Sequence, residues 1–132
     1  MSKEGFAMSG NFFLDTNAII QLLNGNDDVY DIIKDADFIA CSIISELEYY
    51  SFPKITNDDI SLLKKFLERI TVVDLTHHDI EIKKRIVEIR KSKKVKLPDA
   101  IILASAVITN CQLVTADKQL SNCSKFVNII SF

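Results

Sequence analysis

NFFLDTNAII, residues 11–20, sets a carboxylate between two apolar runs. Phe12, Phe13 and Leu14 lead into Asp15; Thr16 and Asn17 follow, and Ala18 starts a second apolar run. Consecutive apolar residues in so short a run read as a strand buried on both faces, the habit of parallel sheets. Asp at the exit of that strand suits a helix N-cap, whose side chain accepts from backbone N–H groups of the first turn.

The same rhythm runs through the chain. Strands are expected over residues 11–14, 38–42, 71–75, 112–115 and 126–130. Helices are expected over 17–24, 28–35, 43–51, 58–70, 78–91 and 98–109. Ile60, Leu62, Leu63, Phe66, Leu67 and Ile70 form one helical stripe, and Ile82, Ile86 and Ile89 mark another. Residues 98–109 are apolar nearly all round, which predicts a helix buried against the sheet centre. Strand–helix alternation predicts an α/β fold: a three-layer α/β/α sandwich around a central parallel sheet of four to five strands. In such sheets, ligands bind beyond the carboxyl ends of the strands, where the strand order reverses.

At 132 residues the chain suits one domain, read as residues 11–132 behind a polar N-terminal extension, 1–10. Hydrophobic residues make up 48% and charged residues 26%, an ordinary globular balance. No signal peptide or membrane anchor is read at the N-terminus, so a cytoplasmic setting is expected. Three cysteines without C-x-x-C spacing predict neither a disulfide framework nor a zinc site. Net charge is −2, but it is unevenly spread. Residues 83–96 hold eight of the 16 Lys and Arg and one of the 18 acids, a local net of +7; the remaining 8 bases and 17 acids carry −9. This basic stretch is either a solvated helix face or an anion-facing patch.

Four acids stand where the fold predicts chemistry. Asp15 and Asp117 (in LVTADKQL) each follow an apolar strand. Asp99 follows Pro98 in KLPDAIILASA, in the first turn of the buried helix, where the dipole favours a carboxylate. Glu46 and Glu48 share one helix in SIISELEYY, and two positions apart on a helix they point about 200° away from each other, so only one can face a given site. Taken singly, each acid is explained as a cap, a dipole partner or a surface residue. Crowded at one edge they repel, and a hard divalent cation would relieve that repulsion. Oxygen ligation without His or Cys suits Mg²⁺ or Mn²⁺ over Zn²⁺.

Four blocks in this order resemble the PIN-domain ribonucleases, of the kind found as VapC-like toxins: LDTNAII, SIISELEYYSFP, KLPDAIILASA and LVTADKQL. The likeness runs from Phe12 to about Ile130, and it selects Glu48 over Glu46. It departs at Lys118-Gln119-Leu120, where the family often has Lys-Asp-Phe. The resemblance implies a Mg²⁺- or Mn²⁺-dependent ribonuclease leaving a 5′-phosphate and a 3′-hydroxyl. Asp15, Glu48, Asp99 and Asp117 would be catalytic and metal-holding, with Thr16, Asn17 and Thr115 around them or on substrate. An RNA substrate, an antitoxin partner and a homodimer are implied as well. Lys91, Lys93, Lys94 and Lys96 lead directly into Asp99 and are candidates for RNA-backbone contact.

Other readings stay open at this point. The same fold could serve a housekeeping RNA-processing nuclease, or a module that holds RNA or protein without cutting. A phospho-acceptor Asp domain of receiver or phosphatase type would use Asp15 alone. His77 and His78 are adjacent and make a poor chelate, and Ser42 and Ser45 have no partnered histidine in view for nucleophilic catalysis.

Overall fold

Phe12, Phe13 and Leu14 are buried because their strand lies in the middle of a sheet covered on both faces. The computed structural model describes residues 10–92 and 94–132; residues 1–9, nearly all of the expected extension, and Lys93 lie outside the described residues. Strand β1 (Asn11–Leu14) pairs in parallel with β2 (Phe38–Ser42) on one side and β4 (Gln112–Thr115) on the other. β3 (Thr71–Val73) adds outside β2 and β5 (Ile129–Ser131) outside β4, so five parallel strands run in the order β3-β2-β1-β4-β5. Successive side chains point to opposite faces. Phe13 accordingly joins one core with Ile82, Ile86, Ile89 and Leu103, while Phe12 and Leu14 join the other with Ile19, Leu63 and Val114.

Gly10 forms the turn that leads into β1. Its carbonyl accepts from the N–H groups of Asp37 (2.9 Å) and Phe38 (3.2 Å). Its φ of +88° favours glycine there.

Helices α1 (Thr16–Leu23) and α2 (Asp27–Ile33) connect β1 to β2. α3 (Ile43–Tyr50) and α4 (Asn57–Leu67) connect β2 to β3, α4 opening on a capping box between Thr56 and Asp59. α5 (Ile80–Ser92) and α6 (Leu97–Ile108) connect β3 to β4. Ala100–Ala106 are all buried, since α6 packs against α5 on one side and against β2 and β4 on the other. That sandwiching is why its sequence lacks a polar stripe.

Most helix ends differ from the sequence reading by one or two residues, and α4 ends at Leu67 rather than 70. The third strand stops at Val73, and the fifth begins at Ile129, not 126. A short helix, α7 (Lys118–Ser121), and a turn with Cys123 and Phe126 hydrogen bonds occupy the intervening chain. α5 starts at Ile80 rather than His78, because Asp79 Oδ1 accepts from the Ile82 N–H at 3.1 Å and caps the helix there. His77 and His78 precede it with their rings edge to face. No helix among the described residues is long and apolar enough to cross a membrane.

Candidate active site

The strand order reverses between β1 and β4, and Asp15 and Asp117 stand at the carboxyl ends of these two strands. A cavity of about 710 Å³ opens there, within the size range of ligand sites. Its polar wall carries Asp15, Thr16, Asn17, Glu48, Asp99 and Asp117. Ile20, Ile44, Leu47, Phe52, Ile102 and Leu120 line the remainder with Pro98 and Ser51. Four chain segments far apart in sequence thus bring their acids to one cavity. Glu46 is not among the lining residues; it sits by Tyr50 and Cys41, whose hydroxyl and thiol are pushed up by burial first and by its charge second.

Local structure explains how each acid is placed. Asp15 caps α1: Oδ1 accepts from the Ala18 N–H at 2.7 Å. Its Oδ2 accepts from the Thr115 hydroxyl across the β1–β4 seam. The same hydroxyl accepts from the Asp117 N–H at 2.9 Å, so fully buried Thr115 ties both acid-bearing strand ends together. Asp117 caps α7, accepting from the Gln119 N–H at 2.8 Å. Asp99 lies in the first turn of α6, behind Pro98. Glu48 Oε1 accepts from the Thr16 hydroxyl at 2.5 Å, and Ser45, one turn earlier on α3, stands 3.0 Å from the same hydroxyl. Ser45 was missed as a positioning residue by the sequence reading. Its spacing of three from Glu48 on one helix face was the available signal. Ser42 accepts from the Ile44 N–H and caps α3.

Capping alone does not account for Asp15. It is only 4% exposed, and burial, with smaller contributions from Asp117 and Asp99, pushes its pKa up to about 6 despite both hydrogen bonds. Relative to the ordinary 3.8, that disfavours the ionised form by on the order of 3 kcal/mol. A cap contributes about 1 kcal/mol, and Asn would cap as well without the charge. Asp99 is also raised, by burial first, then by Asp117 and Glu48, with Lys96 opposing. Among the described residues the direct ion pairs are Lys34–Asp31 and Arg85–Glu88, neither of them at the cavity.

The donor set fits a hard cation held in an open manner. Among the described residues, no group of three or more His, Cys, Asp or Glu side chains is placed so that it could hold a metal ion. Mg²⁺ requires no such group: it binds through one or two carboxylates and keeps several waters. Oxygen donors around a roomy, under-neutralised cavity match that preference.

The basic stretch divides. Lys96 sits at the N-cap position of α6, and its charge bears on Asp99. Lys94 shares a smaller cavity with Asp99. Lys91 instead lies on the outer face of α5, in a groove with Lys83 and Lys84. Lys93 lies outside the described residues.

A parallel α/β sandwich with acids gathered at its switch point is an architecture of ligand-binding and phosphoryl-handling domains. The chain belongs to the PIN-domain family, whose pattern matches residues 12–125; this is a family of nucleases. No curated protein sequence matches the chain. Solved structures similar to it include a toxin–antitoxin complex from Klebsiella pneumoniae, at 24% identity and a TM-score of 0.73 over 90% of this chain and 95% of that one. VapBC2 from Rickettsia felis bound to a promoter DNA fragment shares 22% identity, with a TM-score of 0.75 over 92% and 98%. DNA-bound VapBC from Salmonella typhimurium shares 21%, with a TM-score of 0.70 over 92% and 97%.

Proposed function

We propose that this protein is a Mg²⁺- or Mn²⁺-dependent endoribonuclease, the toxin of a toxin–antitoxin pair acting in the cytoplasm. The observation that carries the reading is the convergence of Asp15, Glu48, Asp99 and Asp117 on one cavity, with two of them held above the ordinary carboxylate range. These four would hold the ion, which when bound supplies positive charge to the phosphate and a more acidic water. Thr115 holds Asp15 and the Asp117 backbone in register, Thr16 holds Glu48, and Asn17 is exposed to substrate at the rim. The strand order differs from the 2-1-3-4-5 order of receiver domains, which counts against a phospho-acceptor of that type. Cleavage of a mixed RNA pool with Mg²⁺ or Mn²⁺, and with chelator, tests the reading; metal-independent cutting would overturn it.

Carboxylates repel RNA, so backbone cations must offset them. We assign Lys94 and Lys96, beside Asp99, to that task; Lys91, in the separate α5 groove, is not assigned to it. Neutralising Lys94 and Lys96 should weaken RNA binding and lower the salt slope by roughly one for each phosphate no longer neutralised. An unchanged slope would remove the assignment.

The partner reading rests on the similar VapBC complexes and on Leu47 and Phe52, large apolar side chains exposed at the cavity rim. An antitoxin segment would cover that rim, and a second copy of the chain would complete a homodimer. Light scattering at high protein concentration should give twice the chain mass; a monomer there would rule the dimer out.

A further inference from the structure

A second cavity of about 220 Å³ adjoins the first and shares Asp99 and Leu120 with it. Its other polar walls are Lys94, Gln119 and Asn122. We propose that this cavity seats the base of the nucleotide next to the scissile phosphate, and that Gln119 and Asn122 read its edge. The proposal rests on the ribonuclease reading above and names part of its substrate.

Three observations carry it. The volume is about seven times a water's share of roughly 30 Å³, so the space suits a flat ring better than a lone ion. Each side-chain amide offers both a donor and an acceptor, the pairing chemistry of a base edge, and unpaired RNA bases are the ones proteins read. The charge balance also disfavours a second phosphate as the occupant: among the described residues Lys94 is the one cation on the wall, and Asp99 lines it as well. A neutral base tolerates that acid, whereas a phosphate does not. Leu120, buried between the two cavities, supplies an apolar surface for the ring.

The backbone that carries the amides is tied to the acids. The Gln119 backbone N–H donates to Asp117 Oδ1 at 2.8 Å, and the Ser121 hydroxyl donates to the Asp117 carbonyl at 3.1 Å. Ser121 Oγ also lies 3.1 Å from Ser131 Oγ, which pins α7 to β5. The helix presenting the amides therefore keeps its place beside Asp117.

The test digests a random-sequence RNA pool with Mg²⁺ or Mn²⁺ and maps the new ends. Wild type should show a base preference at one position flanking the cut. Gln119→Ala and Asn122→Ala should each reduce that preference roughly tenfold. Lys94→Gln should slow all sequences alike and leave the preference in place. Both amide side chains are exposed, so truncation should leave the fold intact, which circular dichroism checks; Gln119→Glu keeps the size and should shift the preference. Wild-type cutting with no preference, or a preference unchanged in all three amide variants, would overturn the subsite while leaving the nuclease reading standing. No metal-dependent cutting by wild type would overturn both.

Discussion

Asp15→Asn should lower RNA cleavage by at least about 100-fold and, at pH 7, raise the stability of the metal-free protein by roughly 1–3 kcal/mol. The two effects have one cause. Asn keeps the cap, because its Oδ1 can accept from the Ala18 N–H as Asp15 Oδ1 does at 2.7 Å. Its amide group can donate to Thr115 Oγ1, replacing the bond now running the other way. What it removes is a buried negative charge facing Asp117 and Asp99. A residue retained for folding would destabilise the protein when replaced; one retained for holding a cation should stabilise it and abolish function. Denaturant melts beside cleavage assays read both outcomes. Undiminished cutting, or a variant less stable than wild type at pH 7, would count against the role given to Asp15.

A second large effect should appear in the pH dependence of the metal-free protein. The folded pKa of Asp15, about 6, lies above its unfolded value near 3.8. Its protonated form is thus favoured by folding, and the stabilisation from this group is fully present below about pH 4 and lost as pH rises through 6. Asp99 shifts in the same direction. Between pH 7 and 5, Asp15 should add roughly 1 kcal/mol, or about 3–5 °C in Tm for a chain of this size. Groups that do not interact with Asp15 cancel when wild type is compared with Asp15→Asn, so the difference between the two melting profiles reports Asp15 together with its coupling to Asp117 and Asp99. Saturating Mg²⁺ at pH 7 should then stabilise wild type, by about 2.7 kcal/mol at a hundredfold excess over Kd, and leave the variant nearly unmoved. Parallel pH profiles for the two proteins, or equal stabilisation by metal, would contradict the electrostatics described here.

Much of the architecture could be read from the chain because it depends on short-range rules. Runs such as Phe12–Leu14 and residues 112–115 announce doubly covered strands, and the apolar residues 98–109 announce a helix with sheet on one side and helix on the other. The caps at Asp15 and Asp117 are local as well. The ends of elements were less legible at the sheet margins. β3 and β5 are edge strands of three residues, where pairing on one side only sets the length.

What the sequence determined by itself, then, is the alternation of strand and helix, with acids at the strand exits and helix starts that later open on the cavity. Periodicity and capping act over a few residues, so they are written in the order of the chain. Tertiary structure alone decided the strand order, the burial that lifts Asp15, the seating of Ser45 beside Thr16 and Glu48, and the separation of Lys91 from Lys94 and Lys96. Those depend on which segments cross to which side of the sheet, and desolvation is a property of everything packed around a group rather than of its neighbours in sequence.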